Sequence, residues 1–196
     1  MSNTKACSSA REMMFAELMA NGCGGSNARF VAAMMASWYH GEGVLPAYMG
    51  LTPDLFKKMA QHFFPGVGLP ALPDRTSDWQ QQMPEFNEMH ALLAAFSADN
   101  EAERGWIAAI AIAGCLGHKH LWEDLGLFNR PDLTAMIAEN FPELAAKNVR
   151  DMKWKKFIYK QLCEREGIIA CPAPTCDACA DFSICFASEE EPSQTG

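Results

Sequence analysis

Four cysteines lie close together near the C-terminus of this 196-residue chain, in the stretch CPAPTCDACADFSIC from Cys171 to Cys185. Their spacing is C-x4-C-x2-C-x5-C, with the C-x2-C pair at Cys176 and Cys179. Thiolates separated by two residues can bind one metal centre, because the intervening backbone turns its amide groups toward the sulfur atoms. The first three cysteines also match the C-x4-C-x2-C spacing of plant-type ferredoxins. The spacing therefore favours an iron–sulfur cluster in this segment.

A structural zinc ion is the main alternative for the same cysteines. Structural zinc sites usually combine two well-separated C-x2-C pairs, whereas this segment has one such pair with longer arms on both sides. With zinc, the segment would only stabilise the fold, and the chain would be a helical interaction module. A cluster colours the pure protein brown and zinc leaves it colourless, so colour and metal analysis separate the two readings.

Charge and hydrophobicity narrow the classes of function. The longest apolar run, which starts at Trp106, is too short to cross a bilayer, and Arg11, Glu12 and Glu17 interrupt the N-terminus where a secretory signal would be continuous. We therefore expect a cytoplasmic protein with no membrane contact, in a compartment that keeps thiols reduced and favours metal sites over disulfides. The formal net charge of −8 argues against nucleic acid as a partner, because binding phosphates needs clustered Lys and Arg.

Helical periodicity dominates the rest of the chain, and alternating strand patterns are nearly absent. Thr52, Pro53 and Asp54 suit the start of a helix, and the apolar stretch 101–117 suits a central buried helix. The proline- and glycine-rich stretch 65–73 predicts an irregular loop. Further helices are predicted at residues 11–20, 28–39, 83–98, 130–141, 142–148 and 149–167.

These patterns predict a mainly α fold with one domain. A compact helical bundle is expected over residues 1–186, with the cysteine loop 171–185 packed at its edge. Residues 187–196, ASEEEPSQTG, are acidic and lack any apolar anchor. We therefore expect a disordered acidic tail there.

Three segments of the C-terminal half resemble the NifQ family of nitrogen-fixation proteins. They are CLGHKHLWEDLGL at 115–127, FPELAAKNVRDMKWKKFIYKQLCEREG at 141–167 and the cysteine segment, in this order, whereas the resemblance is weak from residue 1 to about 100. The resemblance implies a carrier, not an enzyme, that holds an iron–sulfur–molybdenum cluster and supplies molybdenum for the nitrogenase iron–molybdenum cofactor. The implied partners are the scaffold NifEN and the reductase NifH. The implied cluster ligands are Cys171, Cys176, Cys179 and Cys185.

The chemistry of molybdenum agrees with that role. Molybdate is a hard, oxygen-bound anion, whereas the metal in a sulfide cluster has soft donors, so a protein that handles both should offer thiolates beside basic or imidazole groups. A cuboidal cluster of three irons and one molybdenum would give each iron a cysteine, and molybdenum would also need a nitrogen or oxygen donor. His118 and His120 in GHKHLW are the best candidates. In the alternative reading, His118 is a solvated loop residue and His120 caps or packs at the start of the next helix. Glu123 and Asp124 follow, and no role is assigned to them.

Basic residues on the helix at 149–167 form the second candidate feature. Trp154, Phe157, Ile158 and Leu162 have the spacing of a core-facing side, while Lys153, Lys156 and Lys160 line another side with Arg150 near its start. This stripe could attract molybdate or dock an acidic partner, or it could be an ordinary solvated helix face. Cys163, eight residues before the cluster segment, is either a spare ligand or a buried structural cysteine.

A nuclease is the third reading. The subpattern C-x2-C-x5-C resembles part of the iron–sulfur staple of RecB-like nucleases. Such an enzyme needs a sheet that carries an acidic metal site, and the sequence shows no strand with that arrangement. The negative net charge also argues against a DNA enzyme.

Overall fold

The computed structural model describes residues 2–75, 78–97, 102–167 and 185–186, with side chains from residue 10 onward. Within these ranges the protein is all-helical, which confirms the predicted mainly α fold. The helices are α1 Ser2–Ala20, α2 Ser26–Tyr39, α3 Pro53–Phe63, α4 Phe86–Ala95, α5 Ala102–Gly114, α6 Leu121–Leu125, α7 Arg130–Asn140, α8 Pro142–Lys147 and α9 Trp154–Arg165. None of the helices in the described ranges is long and apolar enough to cross a membrane.

Helix starts follow the local sequence. At α3 the Thr52 hydroxyl accepts a hydrogen bond from the Leu55 amide (3.3 Å), and Pro53 occupies the first helical position, as predicted. At α7 the Asn129 side chain accepts from the Asp132 amide (2.8 Å), again ahead of a proline. At the N-termini of both α3 and α7, a side-chain oxygen thus accepts a hydrogen bond from an amide that has no acceptor within the helix. Residues 67–75 form an irregular loop, which confirms the reading of the proline-rich stretch.

The core is built around α5 and α2. Every residue of α5 from Trp106 to Gly114 is buried, which confirms the prediction of a central buried helix. Helix α5 packs against α4 on one side and α6 on another. At Gly114 an added Cβ would lie 2.6 Å from Leu125 Cδ2, so glycine allows α6 to approach α5 closely. This close packing fixes the loop between α5 and α6, which contains both candidate histidines.

Polar side chains connect four helices inside the bundle. Asn140 of α7 and Asn27 of α2 donate to each other at 2.7 and 3.0 Å, and Asn27 also donates to Glu103 of α5 at 3.0 Å. His62 Nε2 of α3 lies 2.7 Å from the other Glu103 oxygen. Partial burial raises the pKa of Glu103, but the hydrogen bonds from Asn27 and His62 and the nearby positive charges outweigh it, so the pKa is lowered. The charged form of Glu103 is therefore part of the folded structure.

Helix α9 starts later than the sequence predicts. The expected helix 149–167 begins at Trp154, because Asp151 adopts a left-handed backbone conformation (φ 55°) that a helix cannot contain. Gly167, the last residue of the predicted helix, has φ 69°, as is common for a glycine that follows a helix end. The four core positions Trp154, Phe157, Ile158 and Leu162 are all buried, as predicted. Helix α9 thus begins five residues later than predicted, directly after Lys153.

Two short 3₁₀ turns were not predicted. They span Ala47–Gly50 and Trp79–Gln82. In the first, Tyr48 and Met49 have φ near 55°, which the sequence does not signal because neither is glycine. The tail 187–196 and most of the cysteine loop 171–185 lie outside the described residues, so the domain boundaries stay predictions.

The sheet that a RecB-like nuclease requires is not found in the described part of the chain. Residues 2–75, 78–97 and 102–167 contain helices, turns and loops only. A nuclease site of that type needs strands to carry its acidic residues. The part of the chain described therefore gives this reading no support.

Candidate metal centre

Cys185, the last of the four clustered cysteines, lies against the start of α9. The Lys153 amide donates a hydrogen bond to the Cys185 carbonyl oxygen (3.0 Å), and Lys156 Nζ lies 3.6 Å from Cys185 Sγ. Cys185 and Phe186 are half-buried and pack on the hydrophobic core. The backbone of this predicted ligand is thus fixed, and a positive charge faces its sulfur. A charged hydrogen-bond donor stabilises negative charge on a sulfur atom.

The other three predicted ligands, Cys171, Cys176 and Cys179, lie outside the described residues. Within those residues, no group of three or more His, Cys, Asp or Glu side chains is close enough together to hold a metal ion. The four-cysteine ligand set therefore stays a prediction, with Cys185 as its described member.

The two candidate histidines lie in the loop that joins α5 to α6. His118 is exposed, and His120 is half-buried as the residue that caps α6. The His120 amide donates to Glu123 Oε2 at 3.1 Å, in the arrangement of a capping box. His120 thus occupies the capping position that the alternative reading foresaw, while its role toward molybdenum stays a prediction.

Asp124 and Lys155 form a buried ion pair that joins this loop to α9. Asp124 is only 1% exposed, and its Oδ2 atom pairs with Lys155 Nζ and accepts the Lys119 amide (3.1 Å). Lys155 Nζ also donates to the Gly117 carbonyl oxygen at 2.8 Å. An added Cβ at position 117 would overlap the Asp124 carboxylate, so the close approach requires glycine. Both charges thus have partners on the loop backbone.

The sequence reading missed this pair. It assigned no role to Asp124 and did not include Lys155 in the basic stripe. One signal was present: Asp124 stands three residues after Leu121 and one before Leu125, so helical periodicity puts it on the buried side of α6. Its partner is 31 residues away in the chain, and local patterns do not identify it.

The remaining members of the basic stripe have different surroundings. Lys160 pairs with Glu164 one turn further along α9 (3.6 Å), as an exposed helix pair would. Arg150 is exposed in the loop before α9. Lys153 and Lys156, by contrast, contact Cys185 through the backbone and the side chain, respectively. The stripe is thus divided, and only its first part lies at the predicted metal ligand.

Two further cysteines, Cys115 and Cys163, differ in burial. Burial raises the pKa of the Cys115 thiol to about 12, with Lys155 acting to lower it and Asp124 to raise it. Cys115 is therefore a neutral thiol and not a ready metal ligand. Cys163 on α9 is a free cysteine, half-buried and not fully buried as a structural cysteine would be. Its role as a spare ligand stays a prediction.

Comparison with known proteins decides the family. The family model for NifQ matches residues 30–187, most of the chain. The chain belongs to the NifQ family. It is 34% identical over 175 residues to Protein NifQ of Azotobacter vinelandii, covering 84% of this chain and 90% of that protein. It is 37% identical over 149 residues to Protein NifQ of Rhodobacter capsulatus, covering 76% and 81%, respectively. No solved structure matches the chain significantly.

The similarity to NifQ also reaches further than the sequence reading expected. We expected a weak resemblance before about residue 100, but the family match begins at residue 30. It therefore includes most of α2 and all of α3 and α4. Protein NifQ of Klebsiella pneumoniae is likewise 34% identical over 155 residues, 92% of its own length. The family match thus includes most of the bundle and not only its C-terminal half.

Proposed function

We propose that this chain carries an iron–sulfur–molybdenum cluster and donates its molybdenum for biosynthesis of the nitrogenase iron–molybdenum cofactor. Membership of the NifQ family supports a role in nitrogen fixation. The observation that carries the proposal furthest is the setting of Cys185. Two lysines at the start of α9 contact it: Lys153, just before the helix, through its backbone amide, and Lys156, in the first turn, at the sulfur. A thiolate in that setting suits an anionic sulfide cluster.

The donors of this end of the molecule fit such a cargo. Cys171, Cys176, Cys179 and Cys185 supply soft thiolates for iron, which a cluster of the 3Fe–4S or 4Fe–4S type requires. The positive charge of Lys156 at Cys185 would attract molybdate, the form in which the metal arrives. Thiolate ligands and a cationic group are thus both present for a cargo that arrives with oxygen donors and is held by sulfur.

His118 and His120 are the proposed nitrogen donors to molybdenum. Their loop is held to α9 through Lys155, close in sequence to the residues that hold Cys185. The proposal includes Arg150 and Lys153 as attractants for molybdate or as docking residues, and Cys163 as a spare ligand. We further propose NifEN and NifH as partners and a carrier role without catalysis of its own.

Metal analysis of anaerobically purified protein tests the proposal. We expect iron, sulfide and molybdenum in the wild-type protein, and zinc alone would overturn the assignment in favour of a zinc staple. Cys185→Ala and Cys176→Ala should lose the cluster. The matched control is Cys23→Ala, since Cys23 is a free and exposed cysteine of the same chain. Equal iron loss in all three variants would refute the ligand assignment.

A second experiment concerns the histidines. His120→Ala should retain iron and sulfide but lose molybdenum, and it should fail to support cofactor synthesis with NifEN and NifH. A His120 that only caps α6 predicts instead a lower melting temperature with both metals lost together. An unchanged molybdenum-to-iron ratio in folded His120→Ala protein would refute the ligand role.

A further inference from the structure

We propose that the buried pair Asp124–Lys155 is a positioning device, which fixes the histidine loop (residues 117–120) to the turn of α9 that holds Cys185. The inference rests on the proposed function, because the loop needs a fixed position only if its histidines bind molybdenum. Asp124 and Lys155 need not touch the metal. They act through the loop backbone and determine where the two imidazoles stand relative to the cysteine.

The pair contacts the loop on both sides of His118. Lys155 Nζ binds the Gly117 carbonyl oxygen, just before this histidine, and Asp124 accepts the Lys119 amide, just after it. Two apolar side chains in place of the pair could fill the same volume, but they could not bind these backbone groups. The described contacts of the pair are therefore specific to the conformation of the loop.

The same turn of α9 holds the cysteine. Lys153, the residue just before α9, donates its amide to the Cys185 carbonyl oxygen, and Lys156 in the first turn directs its ammonium to the Cys185 sulfur. Lys155 directs its ammonium to the loop. These three residues span only about 4.5 Å along the helix axis, at 1.5 Å per residue. A shift of this turn would therefore move both candidate ligand segments together.

Gly117 gives an independent way to disturb the device. A side chain at this position would overlap the Asp124 carboxylate, so the loop and the carboxylate must separate in Gly117→Ala. This change leaves both charges in the chain. It therefore separates the position of the loop from the presence of the ion pair. Gly105 provides the matched control, because a Cβ added there meets nothing within 4 Å.

The first test uses metal-free protein. Amide hydrogen exchange should be faster at Lys119 in Lys155→Met and in Gly117→Ala than in the wild type, by about tenfold or more if the pair holds this amide closed. Exchange in the buried part of α5 should stay protected. Lys155→Arg, which keeps the charge, should restore part of the protection. Gly105→Ala and Lys160→Met should exchange as the wild type does. Unchanged exchange at Lys119 in both test variants would overturn the inference.

The second test uses protein reconstituted with iron, sulfide and molybdate. If the pair positions molybdenum donors, Gly117→Ala and Lys155→Met should keep iron while molybdenum affinity falls by about 10-fold or more, as for other residues that orient metal ligands. X-ray absorption at molybdenum should then show fewer nitrogen or oxygen neighbours. Iron and molybdenum lost in parallel from folded Gly117→Ala would overturn the positioning role, as would an unchanged molybdenum-to-iron ratio.

The two proposals can fail separately. Wild-type protein that binds no molybdenum would refute the proposed function and, with it, the purpose assigned to the pair. Wild-type protein that binds molybdenum, together with variants that bind it equally well, would refute only the positioning role. Should Lys155→Met fail to fold, Gly117→Ala and Lys155→Arg decide the question, since both keep the buried carboxylate beside a cation.

Discussion

Replacing Lys155 with methionine should destabilise the metal-free protein strongly. The substitution removes the ammonium but keeps a long apolar chain, so Asp124 is left almost fully buried with the Lys119 amide as its described donor. Removing one partner of a buried ion pair typically costs about 3–5 kcal/mol. The Lys155 side chain retains 17% exposure, so water can approach it. We therefore expect the free energy of unfolding to fall by about 3 kcal/mol. For a chain of this length that lowers the melting temperature by about 6–12 °C.

Urea unfolding of metal-free protein measures this loss. Asp124→Asn/Lys155→Met should recover at least about half of it, because no uncompensated charge stays buried. Lys160→Met is the control: its partner Glu164 is 3.6 Å away and both side chains are partly exposed, so stability should change by less than about 0.5 kcal/mol.

Two results would refute the reasoning about the pair. If Lys155→Met cost less than about 1 kcal/mol, Asp124 would have to be solvated or satisfied in some other way. If the double variant were less stable than Lys155→Met, the loss would come from packing or from the Gly117 contact and not from an unpaired charge. The denaturant dependence of each variant should match the wild type, so that the comparison concerns the folded state.

Three further predictions concern single groups. The folded-state pKa of Glu103 is lowered, so its stabilisation is present above the ordinary pKa of Glu and is lost as pH falls through the folded value; Glu103→Gln should flatten the acid limb of a stability-versus-pH curve. Lys156→Met should lower the reduction potential of the reconstituted cluster, measured by titration followed by electron paramagnetic resonance, while Lys160→Met leaves it unchanged. Iodoacetamide at pH 8 should label Cys23 and spare Cys115 in folded protein; rapid labelling of Cys115, detected by mass spectrometry, would contradict its burial as a neutral thiol.

Local patterns predicted most helices, because the spacing of apolar residues indicates the buried side and capping residues indicate the start. The start of α3 follows from Thr52 and Pro53, and the buried side of α9 follows from the 3.6-residue period that includes Trp154 and Ile158. The late start of α9 could not be predicted in this way. It depends on the left-handed conformation of Asp151, which favours glycine and which no nearby residue signals.

The candidate site was predicted only in part, because its parts are far apart in the sequence. The sequence identified the histidine loop, the cysteines and the lysines as separate features, each within one segment. What connects them is tertiary: Asp124 meets Lys155 across 31 residues, and Lys156 meets Cys185 across 29. Charged residues are expected at the surface, so the buried position of Asp124 was not inferred from its type. In the structure Asp124 is buried all the same, because it lies on the same side of α6 as Leu121 and Leu125.

The division of the lysines on α9 explains how an acidic protein could receive an anion. The chain has a net charge of −8, which repels molybdate at a distance, but charges separated by more than about 8 Å are largely screened at physiological salt. The charges close to a binding site therefore determine whether it attracts an anion. Lys155 is neutralised by Asp124 and Lys160 faces Glu164, whereas the described residues place no carboxylate in an ion pair with Lys153 or Lys156. The ammonium of Lys156, which lies 3.6 Å from Cys185 Sγ, is therefore the positive charge of this helix that faces the position where the proposed anionic cargo would be received.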